Sequence, residues 1–224
     1  MELPQLFLSS SSARRQTLLK QLGVRFGVVE PNINESYYKK ELYTEYVKRL
    51  ALEKAKAGAL LIQKIQNLPI LGADTCIVIE NKLLGKPANK DEFIAMVKLL
   101  SGKSHIVYSA VAVLTSYEAK TWNNESPKNT SDFRIKYQTL LENNVRLSVT
   151  KVTMRKISSS EQDAYWQCGE PMDIAGGYAI QGKGALFVKK IEGSYSGVMG
   201  LPLYETAELL QNHGINILTN ISMS

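Results

Sequence analysis

A chain of 224 residues, 44% of them hydrophobic, can bury one substantial core as a single domain, or two lobes sharing a cleft, and a single domain is the expectation. Its 27 basic against 21 acidic residues give a formal charge of +6, which fits a phosphorylated small molecule, a nucleic acid or an anionic membrane and does not choose among them. The only cysteines, Cys76 and Cys168, lie far apart and outside any C-x-x-C pattern, which argues against a disulfide framework or a zinc site and fits a reducing cytosol.

The opening MELPQLFLSS holds too short an apolar run for a signal peptide, and no stretch approaches the roughly 18 consecutive apolar residues of a membrane span. A soluble cytoplasmic protein without a membrane partner is expected. Gln5 to Leu8 reads as a strand entering the serine cluster Ser9 to Ser12, and Arg14 to Leu22 has helical spacing that stops at Gly23. A second strand, Arg25 to Glu30, leads through a polar loop to a long amphipathic helix, Thr44 to Ile65. Leu68 to Glu80 is an apolar run, and Glu80-Asn81-Lys82 makes a turn into Leu83 and Leu84, which predicts a hairpin. Lys90 to Leu100 predicts a helix ending at Ser101-Gly102, with the strand His105 to Leu114 after it. From Ser116 to Asn144 the chain turns polar, including Asn123 to Asn129, and reads as an exposed excursion rather than a core element. A strand region at Val145 to Met154, a helix at Ser160 to Cys168, glycine-punctuated strands from Ile174 to Ile191 and a helix at Leu203 to His213 complete the chain. Strands and helices mix without strict alternation or internal repeat, so a mixed α/β fold is expected.

Several residues break local rules. Arg14 and Arg15 occupy a helix start, where the dipole disfavours cations; with the free N–H groups there they suit a polyphosphate, although serine capping of a solvated helix start accounts for them equally. Lys54 falls inside the apolar stripe of Val47, Leu50, Ala51, Ala55, Gly58 and Ile62, so it either snorkels outward or points its charge into a cleft. Asp74 interrupts the apolar strand Pro69 to Ile79, and metal coordination or general-base duty would account for it better than a bond to backbone N–H groups. The Gly176 to Gly184 stretch lacks the spacing of a phosphate loop, and tight strand connections explain its glycines, leaving Gln181 as a group able to read a base edge. His105 and His213 have no second histidine at ligand spacing and read as ordinary core or surface residues; Cys76 reads as a buried apolar side chain. Interleaved aromatic and basic residues occur only weakly, at Phe133-Arg134-Ile135-Lys136-Tyr137, so no nucleic-acid partner is expected.

The ordered set Leu-Ser-Ser-Ser-Ser-Ala-Arg-Arg-Gln-Thr-Leu-Leu, Gly-Ala-Asp-Thr, Gly-Lys-Pro, Leu-Ser-Gly and Gly-Leu-Pro resembles the Maf family, over nearly the whole chain except Ser116 to Asn144. The resemblance implies a two-lobed mixed α/β fold with a central mixed sheet, an active-site cleft between the lobes, a divalent metal cation (Mg or Mn), usually a homodimer, and cleavage of a nucleoside triphosphate between its α- and β-phosphates. By the same resemblance Ser10, Arg14 and Arg15 bind phosphate, Glu35 completes the metal site, Lys54 is the helix lysine, and Asp74 is the catalytic base and a metal ligand. Thr75, Lys86 and Gln181 match further substrate contacts. Arg14, Thr75 and Gln181 match the branch acting on dTTP and UTP, whereas the branch acting on 7-methyl-GTP carries tryptophan, glutamine and glutamate there. Ala13 stands where the family often has proline, and Asn34 where an acidic residue is common. A non-catalytic nucleotide-binding regulator of cell division is the rival function, and the set of Asp74, Glu35 and Lys54 argues against it.

Overall fold

Leu6 and Leu8 enter the core from β1 (Leu6–Ser9), which pairs in parallel with β2 (Phe26–Val29) on one side and β3 (Ile70–Ile79) on the other. The computed structural model describes residues 3–62, 68–119, 131–172 and 174–218. Parallel neighbours cannot be joined by a tight turn, and helices supply both crossovers: α1 (Ala13–Gln21) between β1 and β2, α2 (Tyr43–Ile62) between β2 and β3. The end of α2 expected at Ile65 lies outside the described residues. β4 (Lys82–Leu84) folds back antiparallel on β3, and the turn between them places Glu80 and Asn81 at φ 50° and 59°, as a two-residue hairpin requires. With β5 (Ser104–Leu114), β6 (Val145–Met154) and β7 (Val188–Glu192), the mixed sheet runs β2-β1-β3-β5-β6-β7, with β4 beside β3. No described helix is long and apolar enough to cross a membrane.

Contacts divide the chain into two compact units. The first comprises Met1–Asp74, Ala110–Leu147 and Gly200–Ser224. Its core joins Leu18 and Leu19 of α1 to Val47, Leu50, Ala51 and Ala55 of α2 and to Leu71 and Ala73 of β3, all buried. Here α2 meets β3 at backbone distance: a β-carbon on Gly72 would overlap the Ala51 carbonyl oxygen and the Ala55 nitrogen, so only glycine fits.

The second unit comprises Thr75–Ser109 and Ser148–Met199. Phe93, Val97 and Leu100 of α3 (Lys90–Leu100) pack with Val107, Val152, Tyr165 and Phe187 in its core. Asn89 caps α3 by accepting the Glu92 N–H at 2.9 Å, and Ser158 with Glu161 forms a reciprocal capping box on α5 (Ser159–Gln167), after α4 (Ser131–Asn144) of the first unit. His105, 2% exposed, pairs its Nε2 with the Tyr178 hydroxyl at 2.8 Å, while its buried Nδ1 has no partner among the described residues. Burial holds this imidazole down at about 4, against about 6.5 in an unfolded chain. The unfolded chain therefore takes up the proton first as pH falls. Stability should be flat above pH ~6.5 and should decline by about 3 kcal/mol on the way to pH ~4. Urea titrations at pH 7.5 and 4.5 check this, and the difference should shrink in His105→Gln; an equal pH loss in that variant would assign the effect elsewhere.

Two expectations need correction. The polar excursion is partly structural: residues 116–119 form a helical turn, Ser116, Ala119 and Asn144 are buried, and α4 occupies its second half. Glu118 ties the segment's ends, accepting from Asn144 Nδ2 at 2.7 Å and from the Thr115 N–H at 2.7 Å. Asn123 to Asn129 lie outside the described residues, as do the side chains of Phe133 to Tyr137. The stretch expected as strands from Ile174 is instead two 3₁₀ turns, Ala175–Gly177 and Lys183–Phe187, with strand only in β7. Positive φ at Gly176 and Gly177, 70° and 69°, breaks the extended backbone there. A short helix, α6 (Tyr195–Met199), had no clear sequence signal; α7 (Leu203–Asn212) matches its expectation.

Candidate active site

The serine cluster leaves β1 and turns into α1 under two local bonds: Ser12 caps the helix by accepting the Arg15 N–H at 3.5 Å, and Ser10 Oγ accepts the Ser12 N–H at 3.2 Å. The first turn of α1 holds no acidic residue, so its N-terminal N–H groups and the two arginines add positive charge of one sign. Arg15 is fixed at both ends of its guanidinium, Nη1 donating to Ser10 Oγ at 3.2 Å and Nε to the Gly200 carbonyl at 2.9 Å. That bond explains the place of the Gly-Leu-Pro motif at Gly200 to Pro202. Burial pulls the Arg15 guanidinium below the usual arginine range, opposed by the carboxylates of Asp74 and Glu35; it stays charged at neutral pH. Arg14 stands beside it on the same turn.

Lys54 does not snorkel. Only 7% exposed, it turns inward from α2 and places Nζ 2.7 Å from Asp74 Oδ1 and 2.9 Å from Glu35 Oε1. One ammonium thus bridges two carboxylates from separate segments. Its main chain is tied as well, since Ser9 Oγ donates to the Lys54 carbonyl at 2.6 Å. Asp74 is 6% exposed, and its partner is this lysine rather than backbone N–H groups. Burial raises the Asp74 carboxyl above the usual carboxylate range, and the charges of Lys54 and Arg15 reduce that shift without cancelling it.

Glu35 sits on an irregular segment, and the residues that hold the segment were not evident from sequence. Tyr46 of α2 donates to the Glu35 carbonyl at 3.0 Å, and Arg49 Nη2 donates to the Ser36 carbonyl at 3.0 Å. Arg49 also grips Glu41 through Nε at 2.7 Å and lies over the Tyr38 ring at 4.1 Å. The mutual bond raises Arg49 above the arginine range and lowers Glu41 below the carboxylate range. Tyr37 stacks on Tyr43 and bonds the Glu41 carbonyl. Only the tyrosine-rich run around Ser36 hinted at this arrangement.

Ser10, Arg14, Arg15, Glu35, Lys54 and Asp74 all belong to the first unit. Thr75, Lys86 and Gln181 belong to the second. Thr75 shares a 2.7 Å hydroxyl bond with Ser109 of β5, Lys86 is exposed just after β4, and Gln181 is exposed at the tip of the turn between the two 3₁₀ segments.

For a divalent cation, Asp74 and Glu35 offer hard oxygen donors that already converge on one cation, the Lys54 ammonium. Among the described residues no group of three or more His, Cys, Asp or Glu side chains forms a metal cage. Two carboxylates fit Mg²⁺, which is commonly held by one or two carboxylates plus substrate phosphates.

Cations gathered at a helix start beside a carboxylate-lysine-carboxylate bridge, on a mixed α/β sheet, make a protein suited to a highly anionic small ligand. The chain belongs to the family described as Maf-like protein, whose model matches residues 5–213. It is 41% identical over 216 residues to a dTTP/UTP pyrophosphatase of Alkalilimnicola ehrlichii, covering 95% of each chain. It is 43% identical to a protein of the same description from Saccharophagus degradans, covering 97% of this chain and 92% of that one. A third, from Salmonella typhimurium, is 43% identical over 207 residues, 92% of each.

Proposed function

We propose that this protein hydrolyses dTTP and UTP to the monophosphate and pyrophosphate. The observation that carries the reaction class is the buried Lys54 bridge between Asp74 and Glu35 beside the arginine-bearing start of α1. Support for the substrate comes from near full-length relatives described as dTTP/UTP pyrophosphatases. Modified uridine triphosphates fall within the same proposal, since they keep the base edge.

Water attacks the α-phosphorus, the bond to the bridging oxygen breaks, and pyrophosphate leaves. Asp74 takes the proton from the attacking water; its raised carboxyl range makes it a better base than an exposed aspartate at neutral pH. Arg14, Arg15 and Lys54, with the Ser10 hydroxyl, oppose charge on the triphosphate. Lys86 and Thr75 contribute further substrate contacts. Glu35 and Asp74 would hold a Mg²⁺ or Mn²⁺ ion. When bound, such an ion supplies electrostatic stabilisation of charge on the phosphate oxygens.

Gln181 reads the base, because a glutamine amide both donates to a uracil or thymine carbonyl and accepts from N3–H. Cytosine presents a different pattern, and guanine presents donors that a glutamate would suit better. The test is kcat/KM for dTTP, UTP, CTP, GTP and 7-methyl-GTP, with pyrophosphate identified as product. Wild type should favour dTTP and UTP, and Gln181→Glu with Arg14→Trp should move preference toward 7-methyl-GTP. A wild type that prefers 7-methyl-GTP to UTP overturns the base assignment, and orthophosphate as first product overturns the reaction. A homodimer working in the cytoplasm, with no nucleic-acid or membrane partner, completes the proposal; sedimentation velocity tests the assembly.

A further inference from the structure

We infer that Tyr165 and Glu170 are positioning residues for base selection, a clamp of one buried and one half-buried side chain that holds the turn presenting Gln181; the inference rests on the proposed base-reading role of Gln181. The clamp closes on both sides of the turn. On the entry side, the Tyr165 hydroxyl accepts the Ala179 N–H at 3.1 Å. On the exit side, Glu170 Oε2 accepts the Lys183 N–H at 2.8 Å and Oε1 accepts the Gly184 N–H at 2.9 Å. Tyr165 completes the link by donating its hydroxyl to Glu170 Oε1 at 2.6 Å. Gln181 stands between the two anchored ends, exposed, on a turn closed by the Gly182 N–H donating to the Ala179 carbonyl at 3.1 Å.

The clamp also meets the two glycines that follow Gln181. Gly182 has φ −119°, a value open to any residue, so conformation does not require glycine there. Space does: a β-carbon at Gly182 would fall 2.6 Å from Glu170 Cδ, and one at Gly184 would fall 2.6 Å from the Ala179 carbonyl oxygen and 2.7 Å from the Tyr165 hydroxyl oxygen. Gly182 thus leaves room for the Glu170 carboxylate, and Gly184 for the Ala179 main chain and the Tyr165 hydroxyl.

The two groups are kept in the right protonation states. Burial and the neighbouring Glu170 push the Tyr165 phenol well above its usual range, so it remains a donor. Burial pushes Glu170 upward, but the Tyr165 hydroxyl and the Gly184 and Lys183 N–H groups outweigh it and hold the carboxyl low, so it remains an acceptor. The ring is held independently of its hydroxyl, edge to face with Phe187 at 5.0 Å and tilted against Phe93 at 6.0 Å. Tyr165→Phe should thus remove the entry-side bond to Ala179 and the link to Glu170, and keep the packing. Glu170→Gln removes one acceptor, because the amide nitrogen cannot accept the N–H it would face.

The experiment compares Tyr165→Phe, Glu170→Gln and Gln181→Ala with wild type, measuring kcat and KM for UTP, dTTP, CTP and GTP and amide exchange at Ala179, Lys183 and Gly184. Each clamp variant should raise KM for UTP and dTTP, and lower their preference over CTP, on the order of tenfold, with kcat at saturation changed less than about threefold. Exchange should quicken at Ala179 in Tyr165→Phe and at Lys183 and Gly184 in Glu170→Gln, and Gln181→Ala should lose the same preference. Lost preference in Gln181→Ala alone, with both clamp variants selective, overturns the clamp and leaves the base assignment standing. Retained preference in all three overturns both. A fall in kcat shared equally by every nucleotide, with the preference intact, marks the pair as merely structural and overturns the inference.

Discussion

Asp74→Asn should lower kcat by at least about a hundredfold, the usual worth of a general base, while changing nucleotide affinity little. Asparagine keeps the size and one acceptor oxygen, so Lys54 retains a neutral partner there and its ion pair with Glu35 at 2.9 Å. What disappears is the site that takes a proton. Two effects on stability oppose each other: the amide carries no charge to desolvate, while Lys54 and Arg15 lose a buried counter-charge and keep that of Glu35. The pH profile gives an independent check. Asp74 must be ionised to act, and its range lies above the ordinary carboxylate value of about 3.9. Activity should therefore be lost as pH falls through that raised range, and this limb should be missing from the residual activity of the variant. Turnover above about a tenth of wild type would remove Asp74 from the role of base.

Gly72→Ala should be nearly as damaging, without touching any charged group. The added β-carbon would overlap the Ala51 carbonyl oxygen and the Ala55 nitrogen, and it would lie 3.0 Å from Ala55 Cα. These are main-chain atoms in the middle of α2, which cannot yield as a flexible side chain would. The helix must move off β3, and Lys54, one residue before Ala55, moves with it. Overpacking of this kind costs roughly 1–3 kcal/mol or more. For a chain of this size the midpoint of thermal unfolding should fall by about 5–10 °C, with kcat/KM reduced by more than tenfold. A variant with unchanged melting and unchanged kcat/KM would mean that α2 has room to spare.

Elements with a strong local signature were legible in the sequence, and those fixed by distant partners were not. The hydrophobic spacing, Gly23 and Gly102 placed α1 and α3, and Glu80-Asn81 announced the β3 to β4 hairpin, because caps and turns are written in neighbouring residues. Lys54 and Asp74 stood out for the same reason, each a charge where its own element demands an apolar side chain. Their pairing was not readable, since 20 positions separate them and only the parallel crossover brings them together. The stretch around Gln181 was misjudged because Gly176 and Gly177 turn the chain at positive φ while Gly182 and Gly184 make room for Glu170, Tyr165 and the Ala179 main chain. Gly72 carried an available signal: glycine inside an apolar strand marks a close backbone approach. The residues holding Glu35 gave little notice, because Arg49 and Tyr46 act through the carbonyls of a segment without periodicity.

Lys54 is tied from both sides, its carbonyl to Ser9 and its ammonium to Asp74 and Glu35, and one turn later Gly58 gives Ser9 its room, since a β-carbon there would come 2.5 Å from Ser9 Oγ. Ala51, Lys54, Ala55 and Gly58 consequently fix the phase of α2 about its own axis. A point substitution on the outer face leaves that phase alone. Inserting or deleting a single residue between Leu50 and Gly58 rotates one half of the helix by about 100° relative to the other and separates the lysine from its carboxylates or the glycine from Ser9. Within this stretch the outer face can change in composition, but the chain cannot change in length, which sets where loops, tags or fused segments are admissible when the protein is engineered.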